Sequence, residues 1–206
     1  MLKKSIFAGG LALLMSTAGA LACKGPEVLY EDMFDSPDSS WGQYDGMEFK
    51  DGALTVKPEA GGNYRLQNEA SLYDDFDVCV DLVQKNPDPA NAFGGIIFWA
   101  ADYENYYAFV VAANGYIELL RLQRNKWLTP LPWTRIEDTI KTGAEVNQLR
   151  VVAKGREVTL FVNDKEVRKI KGQPPQGGSK LGLYSELTSK MEGEFVYDNF
   201  VVTNVP

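Results

Sequence analysis

From about residue 27 onward, the chain never keeps apolar residues at helical spacing over ten or more positions. Short apolar or alternating runs recur instead, separated by turn residues. They cover Val28–Phe34, Ala53–Lys57, Tyr64–Gln67, Phe76–Gln84, Gly94–Ala100, Tyr106–Ala112, Tyr116–Gln123, Asn147–Ala153, Glu157–Val162, Glu166–Ile170, Lys180–Ser185 and Glu194–Thr203. A dozen short strands at this spacing predict an all-β sandwich or barrel. Asn114-Gly115 predicts a type I′ hairpin between its flanking strands, since both turn positions need φ > 0. Lys154-Gly155 and Asn163-Asp164 predict a three-strand meander after residue 150. Thr129-Pro130-Leu131-Pro132, flanked by Trp127 and Trp133, reads as a Pro-rich loop. No biased stretch is long enough to be a linker, so residues 23–206 read as a single domain, within the size one core can serve.

The chain has no histidine. That excludes Ser-His-Asp and Cys-His nucleophile pairs, a histidine base near neutral pH, and histidine-bearing zinc or iron sites. Neither G-x-G-x-x-G nor G-x-x-x-x-G-K-[ST] occurs, so phosphate-cradling loops are missing too. The formal net charge is −7, which excludes nucleic-acid binding through bulk charge. Any catalysis must come from carboxylate, Tyr, Lys or Arg chemistry, or from an oxygen-ligated metal.

Residues 1–22 have the three parts of an export signal: Lys3 and Lys4, an apolar run from Ile6 to Met15, and the small-x-small site Ala20-Leu21-Ala22. The run is too short to span a bilayer, and no transmembrane span follows. The mature chain would begin at Cys23, with Cys79 the only other cysteine. Two fates are open for Cys23. It can pair with Cys79, as an even count in an exported chain suggests, or it can carry a lipid anchor, as a cysteine directly after a cleavage site does in bacterial lipoproteins. Both place the protein outside the cytoplasm, periplasmic or secreted in the first case and envelope-anchored in the second.

A series of short words runs along nearly the whole mature chain. It comprises Asp32-Met33-Phe34 with Trp41, Asp51-Gly52-Ala53-Leu54, Asp75-Phe76-Asp77-Val78 and Gly94-Gly95-Ile96-Ile97-Phe98. It continues through Asn105-Tyr106-Tyr107-Ala108-Phe109, Gly115-Tyr116, Leu120-Arg121, Trp127, Asn147-Gln148-Leu149-Arg150-Val151 and Phe161-Val162-Asn163 to Asp198-Asn199-Phe200. In this order the words resemble the bacterial 3-keto-disaccharide hydrolase-like family. The resemblance implies a concanavalin A-like, laminin-G-like jelly-roll β-sandwich of two antiparallel sheets, with a carbohydrate as ligand. Two departures bear on activity. Trp99 stands where relatives often place Arg, and the Glu-x-Asp-x-x-Glu strand of jelly-roll glucanases does not occur.

The aromatic-rich middle section supplies the candidate sugar platform, because sugar rings stack their C–H faces on aromatic side chains. Strand alternation puts Trp99 on the face opposite Ile96 and Phe98, and Tyr106 with the small Ala108 on a face that leaves room for a groove. With Arg121 and the loop residues Trp127 and Trp133, these form the candidate carbohydrate-binding set, set against the ordinary use of aromatics as core. Glu118 and Glu186 are the acid or base candidates, against a reading as solvent-facing strand residues. Asp32, Asp35 and Asp198 form an oxygen-only set suited to calcium, against a reading as turn caps. The expectation is an exported carbohydrate-binding domain. The alternatives are a glycoside hydrolase or lyase acting on a (keto-)disaccharide and a non-catalytic envelope module that binds another protein.

Overall fold

The computed structural model describes residues 23–86, 88–136 and 138–206, so the expected leader lies outside the described residues. The strands are β1 (Val28–Asp32), β2 (Met47–Lys50), β3 (Ala53–Val56), β4 (Asn63–Gln67), β5 (Phe76–Lys85), β6 (Ala92–Asp102) and β7 (Asn105–Ala112). They continue with β8 (Tyr116–Gln123), β9 (Lys126–Arg135), β10 (Asn147–Lys154), β11 (Glu157–Val162), β12 (Lys165–Lys171), β13 (Lys180–Leu187) and β14 (Glu194–Thr203). One 3-10 turn, Ser39–Trp41, breaks the pattern. All pairings are antiparallel and form two sheets. One sheet runs β12-β11-β10-β5-β14-β3-β2, with β1 also on β14, and the other runs β4-β13-β6-β7-β8-β9. This is the jelly-roll β-sandwich.

Turn chemistry explains most of the connectivity. The meander β10-β11-β12 forms as expected, with Asn163 and Asp164 both at positive φ (49° and 63°) in a two-residue I′ turn. The β7–β8 hairpin also forms, but its turn differs from the expected type. Only Gly115 is left-handed (φ 96°), and Gly115 N–H donates to Ala112 O at 3.0 Å, making a three-residue loop with glycine at the αL position. Two strands went unforeseen. Short β2 is joined to β3 by a two-residue turn at Asp51-Gly52, and β9 follows a two-residue turn at Arg124-Asn125, with both residues of each turn at positive φ. The expected loop at Thr129–Pro132 is therefore part of an edge strand. Proline is tolerated there because an edge leaves N–H positions unpaired.

The core lies between the sheets. Phe76, Val78, Val80 and Leu82 of β5 and Phe195, Tyr197, Phe200 and Val202 of β14 meet Ile96, Phe98, Phe109, Ile117, Leu119 and Leu183 of the other sheet, all buried. On β5, Asp77, Cys79 and Asp81 alternate with these core residues. Cys23 is bonded to Cys79, so the N-terminal segment is stapled to β5, and the disulfide is the fate that Cys23 takes. Beside the staple, Arg150 makes two 2.7 Å hydrogen bonds to the Asp77 carboxylate, and both side chains are buried. Asp77 Oδ2 also accepts from Lys24 N–H at 2.9 Å, so this buried charge pair is well satisfied.

Candidate functional site

Alternation along the six-stranded sheet turns a second set of residues away from the core. Glu118 of β8 lies opposite Val110, Val110 opposite Gly95, Gly95 opposite Tyr184, and Tyr184 opposite Arg65, making one row across five strands. The adjoining rows are Tyr116, Ala112, Phe93, Glu186 and Asn63 on one side, and Leu120, Ala108, Ile97, Gly182 and Gln67 on the other. Val110, Gly95, Ala108, Ile97 and Gly182 thus make a low apolar floor that is itself buried, covered by the taller polar and aromatic side chains of the same face. Gly95 has to be glycine, because a Cβ there would lie 1.9 Å from Phe109 O of the neighbouring strand.

Trp133 on the edge strand β9 meets Phe93 on β6, with ring centroids 4.6 Å apart. Three strand spacings separate β6 from β9, about 14 Å of sheet. Contact over that span requires the sheet to curl toward this face, which is therefore concave. Trp127, also on β9, meets Tyr106 edge-on at 6.0 Å. Trp127 and Trp133 remain 47% and 38% exposed, so each keeps ring surface free for a ligand.

Two carboxylates face each other across this floor. Glu118 is pushed up to about 7, first by burial and then by the negative charge of Glu186. Glu186 accepts a 2.6 Å hydrogen bond from the Tyr184 hydroxyl, and burial together with that neighbouring charge raises Tyr184 above the usual phenol range. Tyr106 is raised to about 12 by burial, the positive charge of Arg65 opposing it. Arg65 is the polar group nearest its buried hydroxyl. The face therefore offers a proton donor, an acceptor carboxylate, a guanidinium and aromatic ring surface around an apolar floor.

The structure divides the expected carbohydrate set. Trp127, Trp133 and Tyr106 belong to the concave face, although Tyr106 is only 1% exposed and offers an edge, not an open platform. Trp99 turns the other way. Its φ is 47°, at a bulge that breaks the β6 register after Phe98, so two consecutive side chains point inward. Trp99 packs on Phe98 and Tyr107 at 2% exposure and is core, not platform. Arg121 lies on the inward side of β8, over the Tyr107 ring at 4.9 Å. Glu118 and Glu186, by contrast, come together on one face. Tyr184, Arg65 and Phe93 complete the site and were not foreseen. Tyr184 was readable as the same-face neighbour of Glu186, whereas Arg65 joins only through the β4–β13 pairing.

The calcium candidates lie in and around the other sheet. Asp32 Oδ1 accepts from Phe34 N–H at 2.7 Å and Oδ2 from Trp41 Nε1 at 2.8 Å, which fixes the turn after β1. Asp198 is raised by burial and by the charges of Asp81 and Asp35, although Asn199 N–H donates to it. Asn199 in turn donates to Asp81 Oδ2 at 2.9 Å, tying β14 to β5 at a bulge. Among the described residues, no three acidic or cysteine side chains gather where they could hold a metal ion, and no helix is long and apolar enough to cross a membrane.

No family model matches the sequence, and no curated protein matches it. Solved structures do. An endo-acting O-glycanase of the human gut microbiota aligns with a TM-score of 0.64 at 13% identity, over 87% of this chain and 100% of that one. The carbohydrate recognition domain of Emp46p aligns at 0.65 and 8% identity, over 85% and 95% of the two chains. Bacillus licheniformis β-glucanase aligns at 0.62 and 8% identity, over 85% and 97%. At such identities these likenesses establish the shared jelly-roll fold.

Proposed function

We propose that this chain is an exported carbohydrate-binding jelly-roll domain that seats a glycan on the concave face of the six-stranded sheet. The observation that carries the reading is the grouping, on one curled face, of half-exposed Trp127 and Trp133 with Glu118, Glu186 and Arg65 around an apolar floor. Indole rings take the C–H faces of a sugar, while carboxyl and guanidinium groups take its hydroxyls. Several structural neighbours are carbohydrate recognition domains or glycoside hydrolases, which agrees with this use of the fold. The Cys23–Cys79 disulfide agrees with an oxidising compartment. The likeness of the sequence words to 3-keto-disaccharide hydrolase-like proteins points to a short glycan as the ligand.

The Glu118–Glu186 pair favours a second reading, hydrolysis. Glu118 holds a proton near neutral pH that it could give to a leaving glycosidic oxygen, and Glu186 could take the proton of an attacking water. A glycan array on the purified protein, followed by product analysis of each sugar that binds, separates the two. Binding without product supports the binding module. Product that disappears in Glu118→Gln, with binding retained, supports the hydrolase. Absence of any glycan binding contradicts both and favours the protein-binding envelope module.

A further inference from the structure

A second recess lies at the end of the sandwich, where the segment after β12 crosses β7 and β8. One lobe, of about 290 Å³, is lined by Trp99, Tyr106, Tyr107, Arg121, Gln173 and Pro174 among others. A smaller lobe of about 170 Å³ shares Tyr107, Arg121 and Gln173 with it and adds Arg156 and Lys171. Among the described residues, no carboxylate lines either lobe. Arg121 donates to Gln173 Oε1 at 2.8 Å and Arg156 Nε donates to Gly172 O at 3.1 Å, so both guanidinium groups rest on neutral acceptors. Neither has an ion-pair partner among the described residues, whereas Lys171 is paired with Glu157 at 3.5 Å. Gln173 N–H donates to the Tyr107 hydroxyl oxygen at 3.3 Å, leaving the phenolic proton free to point into the recess.

What sets Arg121 and Arg156 apart is that they line one recess together, each bonded only to a neutral oxygen. Arg121 is half-buried over Tyr107, 4.9 Å from the ring centroid, and one neutral acceptor leaves most of its five N–H donors open to a ligand. Its fork matches the planar oxygens of a carboxylate or the face of a sulfate. Tyr106 lines this recess and also touches Trp127, so the recess adjoins the concave face.

We propose that this cleft binds the carboxylate or sulfate substituent of an acidic glycan, with Arg121 and Arg156 as the donors to the anion. The ligand class rests on the glycan reading above.

Equilibrium binding to the whole protein tests it, with an oligogalacturonide, its methyl-esterified counterpart, a sulfated oligosaccharide, an uncharged glucan oligosaccharide and inorganic sulfate as probes. The expected result is that at least one acidic oligosaccharide binds, and that removing its charge weakens binding at least tenfold. Arg121→Gln and Arg156→Gln should each weaken it at least fivefold and flatten its salt dependence, while Arg121→Lys retains part of the affinity. Thermal melts that match the wild type show that the variants are folded. Equal affinity for charged and esterified probes, or wild-type affinity in the folded glutamine variants, overturns the proposal. Neutral-glycan binding with no acidic preference overturns the cleft while sparing the concave-face reading. Binding of inorganic sulfate but of no sugar at all overturns both.

Discussion

Near neutral pH the Glu118 carboxyl stands at about half protonation, because burial and the charge of Glu186 both disfavour its anion. The sign of the stability effect follows. Its folded pKa of about 7 lies above the unfolded value, so the native state favours the protonated form. Stability is therefore lost as pH rises from about 4.5 through 7, by an amount on the order of 2 kcal/mol. Glu118→Gln keeps the shape and removes the charge. Urea unfolding should find this variant more stable than wild type at pH 8 and equal to it near pH 4; a wild-type pH slope retained in the variant would refute the assignment. Trp99 makes the contrasting case. As core, its replacement by alanine should cost about 3–5 kcal/mol, while the affinity of the folded fraction for an uncharged glycan on the concave face is unchanged. Denaturant midpoint and binding isotherm together decide whether it is core or platform.

Elements show where the sequence was readable and where it was not. The period of two was strong enough to reveal the inward face of β7, with Tyr107, Phe109 and Val111, and the meander from β10 to β12. It failed at Trp99, because a one-residue bulge reverses the face of everything beyond it and leaves no signature in the side chains. It failed again at β9, where Pro130 and Pro132 suggested a loop, although an edge strand accepts them. Arg124-Asn125, the turn before β9, lacks the glycine that would have announced a hairpin. The site itself is half legible: residue type and alternation single out Trp127, Trp133, Glu118 and Glu186, but their convergence depends on the β13–β6–β7–β8 pairing order. That order brings a strand near residue 186 beside one near residue 95, which no local pattern encodes.

At the scale of the molecule, the fold carries a concave face on one sheet, the proposed glycan seat, and a covalent staple on the other. Cys23 and Cys79 are 56 residues apart, and closing that loop stabilises the protein by about 4 kcal/mol on the chain-entropy model. Reduction, or the Cys23→Ser/Cys79→Ser double variant, should lower the unfolding free energy by up to that amount. Because the staple lies on the opposite sheet, glycan affinity of the still-folded protein should not change. Affinity that falls on reduction, with the fold intact by circular dichroism, would place the binding surface near β5 instead.

A glycan seated against Trp127 and Trp133 would be seen directly, because the chain has four tryptophans. An amide and indole N–H correlation spectrum separates the four side-chain signals: Trp41, bonded to Asp32 in the core, buried Trp99, and the two half-exposed indoles of β9. Titration with an uncharged glycan chosen from the array should move the Trp127 and Trp133 signals in a saturable way and leave Trp41 and Trp99 in place. Saturable binding that leaves both β9 signals unmoved would contradict the account.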